Sequence, residues 1–298
     1  MQPGQALQRK VDNRFLDIGR LLVSCPDRPG IVAAVSRFLY ERGANVTESQ
    51  QYSTDPFGGT FFLRVEFHRE RLAEHIDSLE HSFAVVAAEW QMSYQLTRAD
   101  ELKRVAIFVS TAGHALQELL WRAGSGELNA DIRMVVANHP DLEPIVAAWG
   151  VPFHRTPTAP ASKAEIEAAQ LAILGDDVDL VVLARYMQIL TPRFLARFPN
   201  RVINIHHSFL PAFVGANPYN AAFDRGVKLI GATAHYVTEE LDAGPIIEQD
   251  TVRVDHRQHV DDLKELGRHV ERAVLARAVQ WHLDDRVLVN RNKTVVFA

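Results

Sequence analysis

The sequence predicts an α/β chain in two parts, a small ferredoxin-like βαββαβ unit followed by a doubly wound, mostly parallel, Rossmann-like sheet. Three observations predict it. Between residues 17 and 97, apolar runs switch between strand and helix periods in the order βαββαβ. From residue 104 onward, RVAIFVS (104–110), DIRMVVAN (131–138) and VDLVVLA (178–184) are near-continuous apolar runs, the pattern of parallel strands buried on both faces. The length of 298 residues suits two domains, and RADELK (98–103) between them is a polar link without apolar periodicity.

Each element has its own signals. GRLLVSCP reads as a strand stopped by Pro26, and DRPGIVAAVSRFLYERG as a helix with Asp27 near its start and Gly43 at its end. Ile31, Val35, Phe38 and Leu39 share one face of that helix. ANVTESQQYST and GTFFLRVEFH are strands joined by the turn DPFGG; RERLAEHIDSLEHSFA is a second helix and AEWQMSYQLT a closing strand. In the second part, GHALQELLWRAG, DLEPIVAAWG and SKAEIEAAQLAIL are the crossover helices, expected to be right-handed. PRFLARF is a short helix, RVINIHH a strand, and the segment beyond it a loop rich in Pro, Gly and Asn. LIGATAHYVT, PIIEQDTVRV, a long amphipathic helix near 257–283, and the small pair RVLVN and KTVVF complete the chain. Residues 104–298 are therefore expected to form one domain.

Composition narrows the functional classes. Hydrophobic residues make up 47% and charged residues 23%, so the chain can build a packed core. A net charge of −5 argues against nucleic acid as a partner. The single cysteine, Cys25, excludes an internal disulfide and fits a reduced cytoplasm. No apolar run reaches membrane-spanning length, so no membrane partner is expected.

Two stretches carry chemistry. In open parallel sheets, ligands sit beyond the carboxyl ends of the strands, where Asn204 and His206 fall. A period of two puts these on one side and His207 on the other. HYVTEELDAGPII (235–247) places Asp242 before a flexible Ala-Gly-Pro, a position that turn formation alone also favours.

INIHHSFLPAF, GATAHYVTEELDAGPII and VVLARYMQIL resemble the folate-dependent formyl-transfer fold of glycinamide ribonucleotide transformylase and methionyl-tRNA formyltransferase. CPDRPGIVAAVSRFLYERGANV resembles an ACT amino-acid-sensing domain. Joined in this order, over nearly all of residues 19–298, they resemble the formyltetrahydrofolate deformylase family. The resemblance implies hydrolysis of 10-formyltetrahydrofolate to tetrahydrofolate and formate, balancing the one-carbon folate pool and supplying formate for purine synthesis. It implies a catalytic trio of Asn204, His206 and Asp242. It also implies a folate site of Arg185, Met187, Gln188, Ile189, Leu190, Glu240 and Leu241, no cofactor and no metal. It implies an effector loop at Asp27, Arg28, Pro29 and Gly30, an amino-acid effector such as glycine or methionine, and a homo-oligomer, dimer or tetramer.

The roles make chemical sense. A formamide carbonyl attacked by water develops an oxyanion that Asn204 and a protonated His206 can stabilise, while Asp242 accepts the proton of the water. Burial would raise the Asp242 pKa and a cationic His206 would lower it. The loop VSTAGHALQELL after the first strand of the second part lacks the Gly-x-Gly-Ser-Asn phosphate cradle of the nucleotide-using relative, which favours water over an amine acceptor. The chain departs from the family pattern at that loop, at Val214 where a Lys is usual, and at Asn217 and Asn220, usually basic and His. Alternatives stay open: transfer to an amine acceptor, a catalytically weak amino-acid-responsive folate-binding protein, or a metal hydrolase using His206, His207, His235 and Asp242. Adjacent strand histidines point apart, which weakens the last.

Overall fold

The computed structural model describes residues 13–156, 161–212 and 218–298, so Val214 and Asn217 lie outside the described residues. They pack as two compact units. The described residues up to Leu102 form one, with Asp284–Asn290 and Val295–Ala298; Lys103–Leu283 and Arg291–Thr294 form the other.

In the first unit, β1 (Ile18–Pro26), α1 (Ile31–Glu41), β2 (Asn45–Ser53), β3 (Thr60–His68), α2 (Leu72–Trp90) and β4 (Ser93–Arg98) follow the βαββαβ order. The sheet order is β2-β3-β1-β4, antiparallel throughout. Strand alternation sends Leu21, Val23 and Cys25 to one face, where they share a core with Phe38, Leu39, Leu79 and Phe83. The opposite face carries two buried guanidinium groups, each costly unless neutralised. Arg64, 0% exposed, pairs with Glu48 at 2.9 Å and Glu66 at 3.1 Å, and its Nε donates to the Asp285 carbonyl at 3.0 Å. Arg20 pairs with Glu66 at 3.3 Å and Asp284 at 3.4 Å. These acceptors are why residues 284–290, expected within the second domain, pack instead with the first unit.

The second unit runs β5 (Lys103–Val109), α3 (His114–Ser125), β6 (Ala130–Ala137), α4 (Glu143–Ala147), β7 (Phe153–Arg155), α5 (Lys163–Leu174), β8 (Leu180–Leu183), α6 (Pro192–Leu195), β9 (Val202–His206), α7 (Pro218–Arg225), β10 (Leu229–Tyr236), β11 (Ile246–Arg253) and α8 (Val260–Leu283). Its sheet has the order β11-β10-β9-β8-β5-β6-β7. The run from β9 to β7 is parallel, and β10 and β11 are antiparallel additions. Ala106, Phe108, Val181, Leu183 and Val202 pack with Leu174, Phe194 and Phe198 in one core. The intervening Ile107, Val182 and Ile203 are buried as well, as expected of strands covered on both faces. The terminal β12 (Val287–Asn290) and β13 (Lys293–Val296) form a two-stranded sheet.

Two differences from the expected elements bear on the site. The segment from Pro218 to Arg225 is helix α7, not loop: proline suits a first helical turn because no N–H is needed there, and Tyr219 and Ala222 supply a buried face. The helix expected over DLEPIVAAWG shrinks to Glu143–Ala147, and the edge strand β7 follows it.

Candidate active site

Strand β9 ends at His206, and its antiparallel neighbour β10 sets His235 directly opposite Asn204. The connection from β10 to β11 then returns Asp242 to the same place. His206 Nδ1 lies 3.3 Å from Asp242 Oδ2, His235 Nε2 lies 3.7 Å from Asp242 Oδ1, and Asn204 Nδ2 lies 3.2 Å from His235 Nε2. Asn204, His206 and Asp242, separated in the sequence, therefore share one cavity of about 320 Å³. His207 also lines it, contrary to the alternation expected from a continuing strand, because β9 stops at His206. The two imidazole centroids are 5.2 Å apart.

The protonation pattern follows from the partners. His235 Nδ1 faces the Tyr236 carbonyl at 2.9 Å and must donate to it, so in a neutral ring Nε2 accepts from the Asn204 amide. One Asn204 N–H is used there and the second remains for another acceptor. The Asp242 carboxyl is held well below the usual carboxylate range, chiefly by hydrogen bonding from His206, against the opposing effect of burial. At 3.7 Å the His235 contact is long for a hydrogen bond, so His206 is the effective partner. His206 is 5% exposed, and its Nε2 is buried without a hydrogen-bond partner. A buried ring nitrogen of this kind is costly unless something occupies the space beside it.

Asp242 sits at φ 55° and Arg185 at φ 63°, in the left-handed region that residues other than Gly seldom adopt. Such strain of about 1–3 kcal/mol gathers where surrounding structure dictates side-chain direction.

The loop after β8 forms the apolar wall. Arg185, Met187, Gln188, Ile189 and Leu190 line the cavity together with Leu241; Glu240 does not, and Thr238 and Glu239 stand in its place. Met187, Ile189 and Leu241 are 56%, 58% and 59% exposed, which is not the behaviour of core residues. The loop is pinned from beneath. Glu167 accepts from Thr191 N at 2.8 Å, Gln170 donates to the Tyr186 hydroxyl at 2.8 Å, and Met187 N donates to Ser110 Oγ at 3.0 Å. The supporting roles of Glu167, Gln170 and Ser110, and the pairing of His235 with Asn204, were not read from the sequence. Among the described residues, no group of three or more His, Cys, Asp and Glu side chains is arranged to hold a metal ion.

In the first unit, residues 27–30 are laced to α2 and β2. The Arg28 guanidinium lies 4.3 Å from the centroid of the Trp90 ring and donates to the Glu89 carbonyl at 2.8 Å. Asp27 does not cap α1; it accepts from Ser53 Oγ, and Gly30 at φ 101° holds the N-cap position. A Cβ on Gly30 would meet Trp90 at 2.9 Å.

Comparison with known proteins places these features in context. The formyl transferase family profile matches residues 103–279 and the ACT domain profile residues 19–80. The formyltetrahydrofolate deformylase of Bacillus subtilis is 59% identical over 282 residues, covering 94% of each chain. A formyltetrahydrofolate deformylase structure from Pseudomonas syringae superposes with a TM-score of 0.91 at 48% identity, covering 94% of each chain. A glycinamide ribonucleotide transformylase from Symbiobacterium toebii superposes with a TM-score of 0.63 at 32% identity, over 66% of this chain and 95% of its own.

Proposed function

This chain belongs to the formyltetrahydrofolate deformylase family, and from that premise we propose that it hydrolyses 10-formyltetrahydrofolate to tetrahydrofolate and formate through Asn204, His206 and Asp242. The observation that carries the assignment of roles is the 3.3 Å approach of His206 Nδ1 to Asp242 beside Asn204, in a cavity with an apolar mouth. The exposed Met187, Ile189 and Leu241 suit the flat heteroaromatic ring of a folate, and the polar groups lie deeper, where the formyl carbon would sit.

Water attacks the formyl carbon, and a C–O bond forms as the carbonyl becomes an oxyanion. The second N–H of Asn204 and the Nε2–H of a protonated His206 donate to that oxygen. Asp242 serves twice. Its carboxylate, 3.3 Å from Nδ1, holds the His206 ring in place, and it receives the proton of the attacking water. That proton passes to N10 as the C–N bond breaks, giving the amine of tetrahydrofolate. Formic acid ionises at neutral pH. The steps balance with water and side chains, and no cofactor is invoked. Low basicity makes Asp242 a modest base on its own, so the charge partnership with His206 carries much of its effect.

Incubating the chain with 10-formyltetrahydrofolate should yield tetrahydrofolate and formate in equal amounts without any added amine. Release that required an amine acceptor would make it a transferase; folate binding without release would make it a silent sensor.

We further propose that the first unit, which matches the ACT domain, takes a small-molecule effector of the amino-acid class near Asp27–Gly30 and assembles the chain into a homo-oligomer in the cytoplasm. Titration calorimetry with glycine and with methionine tests the first part. Absence of heat with any amino acid would leave assembly as the remaining role.

A further inference from the structure

A second cavity, about 330 Å³, shares Arg185 and His207 with the reaction cavity and is also lined by His114, Lys264, Arg268 and Glu271. Three permanent cations face one carboxylate there. Glu271 is 1% exposed and fully engaged. It lies 2.8 Å from His114 Nε2, accepts from the Tyr219 hydroxyl at 2.8 Å, and lies 3.5 Å from Arg185 Nε. Burial opposes its charge, but His114, Arg185 and Tyr219 outweigh burial and keep it ionised. Arg268 makes no ion pair with a carboxylate among the described residues; its Nε donates only to the Lys264 carbonyl, at 3.3 Å. Lys264 is tied to Asp261 at 2.9 Å on the surface.

A cavity with surplus positive charge and an unpaired guanidinium is suited to a small oxyanion, which a guanidinium can hold through two parallel N–H···O bonds. We propose that this cavity is the site through which product formate leaves. The inference rests on the deformylase reading, because formate is the anion made on the other side of Arg185 and His207. Tetrahydrofolate would still fill the apolar mouth at Met187, Ile189 and Leu241, so the anion departs on the charged side. The fixed negative charge of Glu271 keeps that binding weak enough for release.

The test is direct binding of 13C-labelled formate, followed by NMR line broadening, with inorganic phosphate as the competing arm. It needs no turnover. Absent hydrolysis with formate bound would therefore sink the functional reading and the exit role with it, leaving only an anion site, whereas hydrolysis without formate binding would sink this proposal alone. Arg268→Ala should weaken formate binding by about tenfold, whereas Glu271→Gln, which removes the opposing charge, should tighten it. Glu271 is buried and its variant can fail to fold, but Arg268 is exposed and its variant stands as an independent arm. Unchanged formate affinity in Arg268→Ala overturns the proposal. So does phosphate binding more tightly than formate, which would make the cavity a phosphate site.

Discussion

Replacing Asp242 by Asn keeps the shape of the side chain and removes its charge. In the native site that charge lies 3.3 Å from His206 Nδ1, with both side chains largely buried. Coulomb's law at this separation, with an effective dielectric constant of about 20, gives roughly 5 kcal/mol of attraction between the carboxylate and an imidazolium. If that attraction is realised in the transition state, its loss slows the reaction by about a thousandfold to ten-thousandfold. Loss of a positioned general base, worth about a hundredfold to ten-thousandfold by itself, falls in the same range. The two effects act through one group and do not simply multiply. Asp242→Asn is therefore expected to lower kcat by at least about a thousandfold with KM little changed, since the apolar wall proposed to meet the folate ring is untouched. Tetrahydrofolate release is read by absorbance under anaerobic conditions and formate by a coupled dehydrogenase, with binding of a folate analogue as the check on folding. A variant that binds folate normally and keeps more than about a tenth of kcat would refute the reasoning.

Three further outcomes are expected. The proposed mechanism uses the carboxylate form of Asp242, whose pKa is lowered, so loss of activity toward acid should begin below the ordinary value of about 3.9; an acid limb of kcat/KM that bends at or above that value contradicts this. The same group's contribution to stability is present above the unfolded value and fades as pH falls through the lower folded one. Gly244→Ala would push a Cβ to 1.8 Å from the Tyr236 carbonyl oxygen, so the loop holding Asp242 must shift. A displacement of about 1 Å costs about a hundredfold in rate, with secondary structure intact by circular dichroism. Arg64→Met takes from Glu48 its 2.9 Å partner and leaves Glu66 to Arg20, so it should cost about 1–3 kcal/mol in denaturant unfolding; an unchanged midpoint means the network is neutral.

Much of this was legible because it is local. The apolar runs of β5, β6 and β8 announce a sheet covered on both faces, and the two-residue spacing of Asn204 and His206 announces a shared direction. His235 was not legible as a partner of Asn204, because that contact exists only through the register of β10 against β9. Glu167 and Gln170 look like ordinary polar residues of an amphipathic helix. Only the fold turns them under the loop after β8, where both are buried. Helix α7 hid behind Pro218 and Asn220, residues that signal turns as readily as helix starts. The balance of burial against His206 at Asp242 also required coordinates, since it depends on distances that no spacing encodes.

The buried arginines of the first sheet bear on how the protein is made. Arg64 reaches the backbone of Asp285 across 221 residues of sequence. During synthesis Arg64 emerges early, yet this acceptor leaves the ribosome only 221 residues later. A nascent chain halted at Leu283 should therefore display a protease-sensitive first sheet, and the same sheet should become resistant once Asp284–Asn290 has emerged. Resistance that is already complete at the earlier arrest point would show that the N-terminal unit matures unaided.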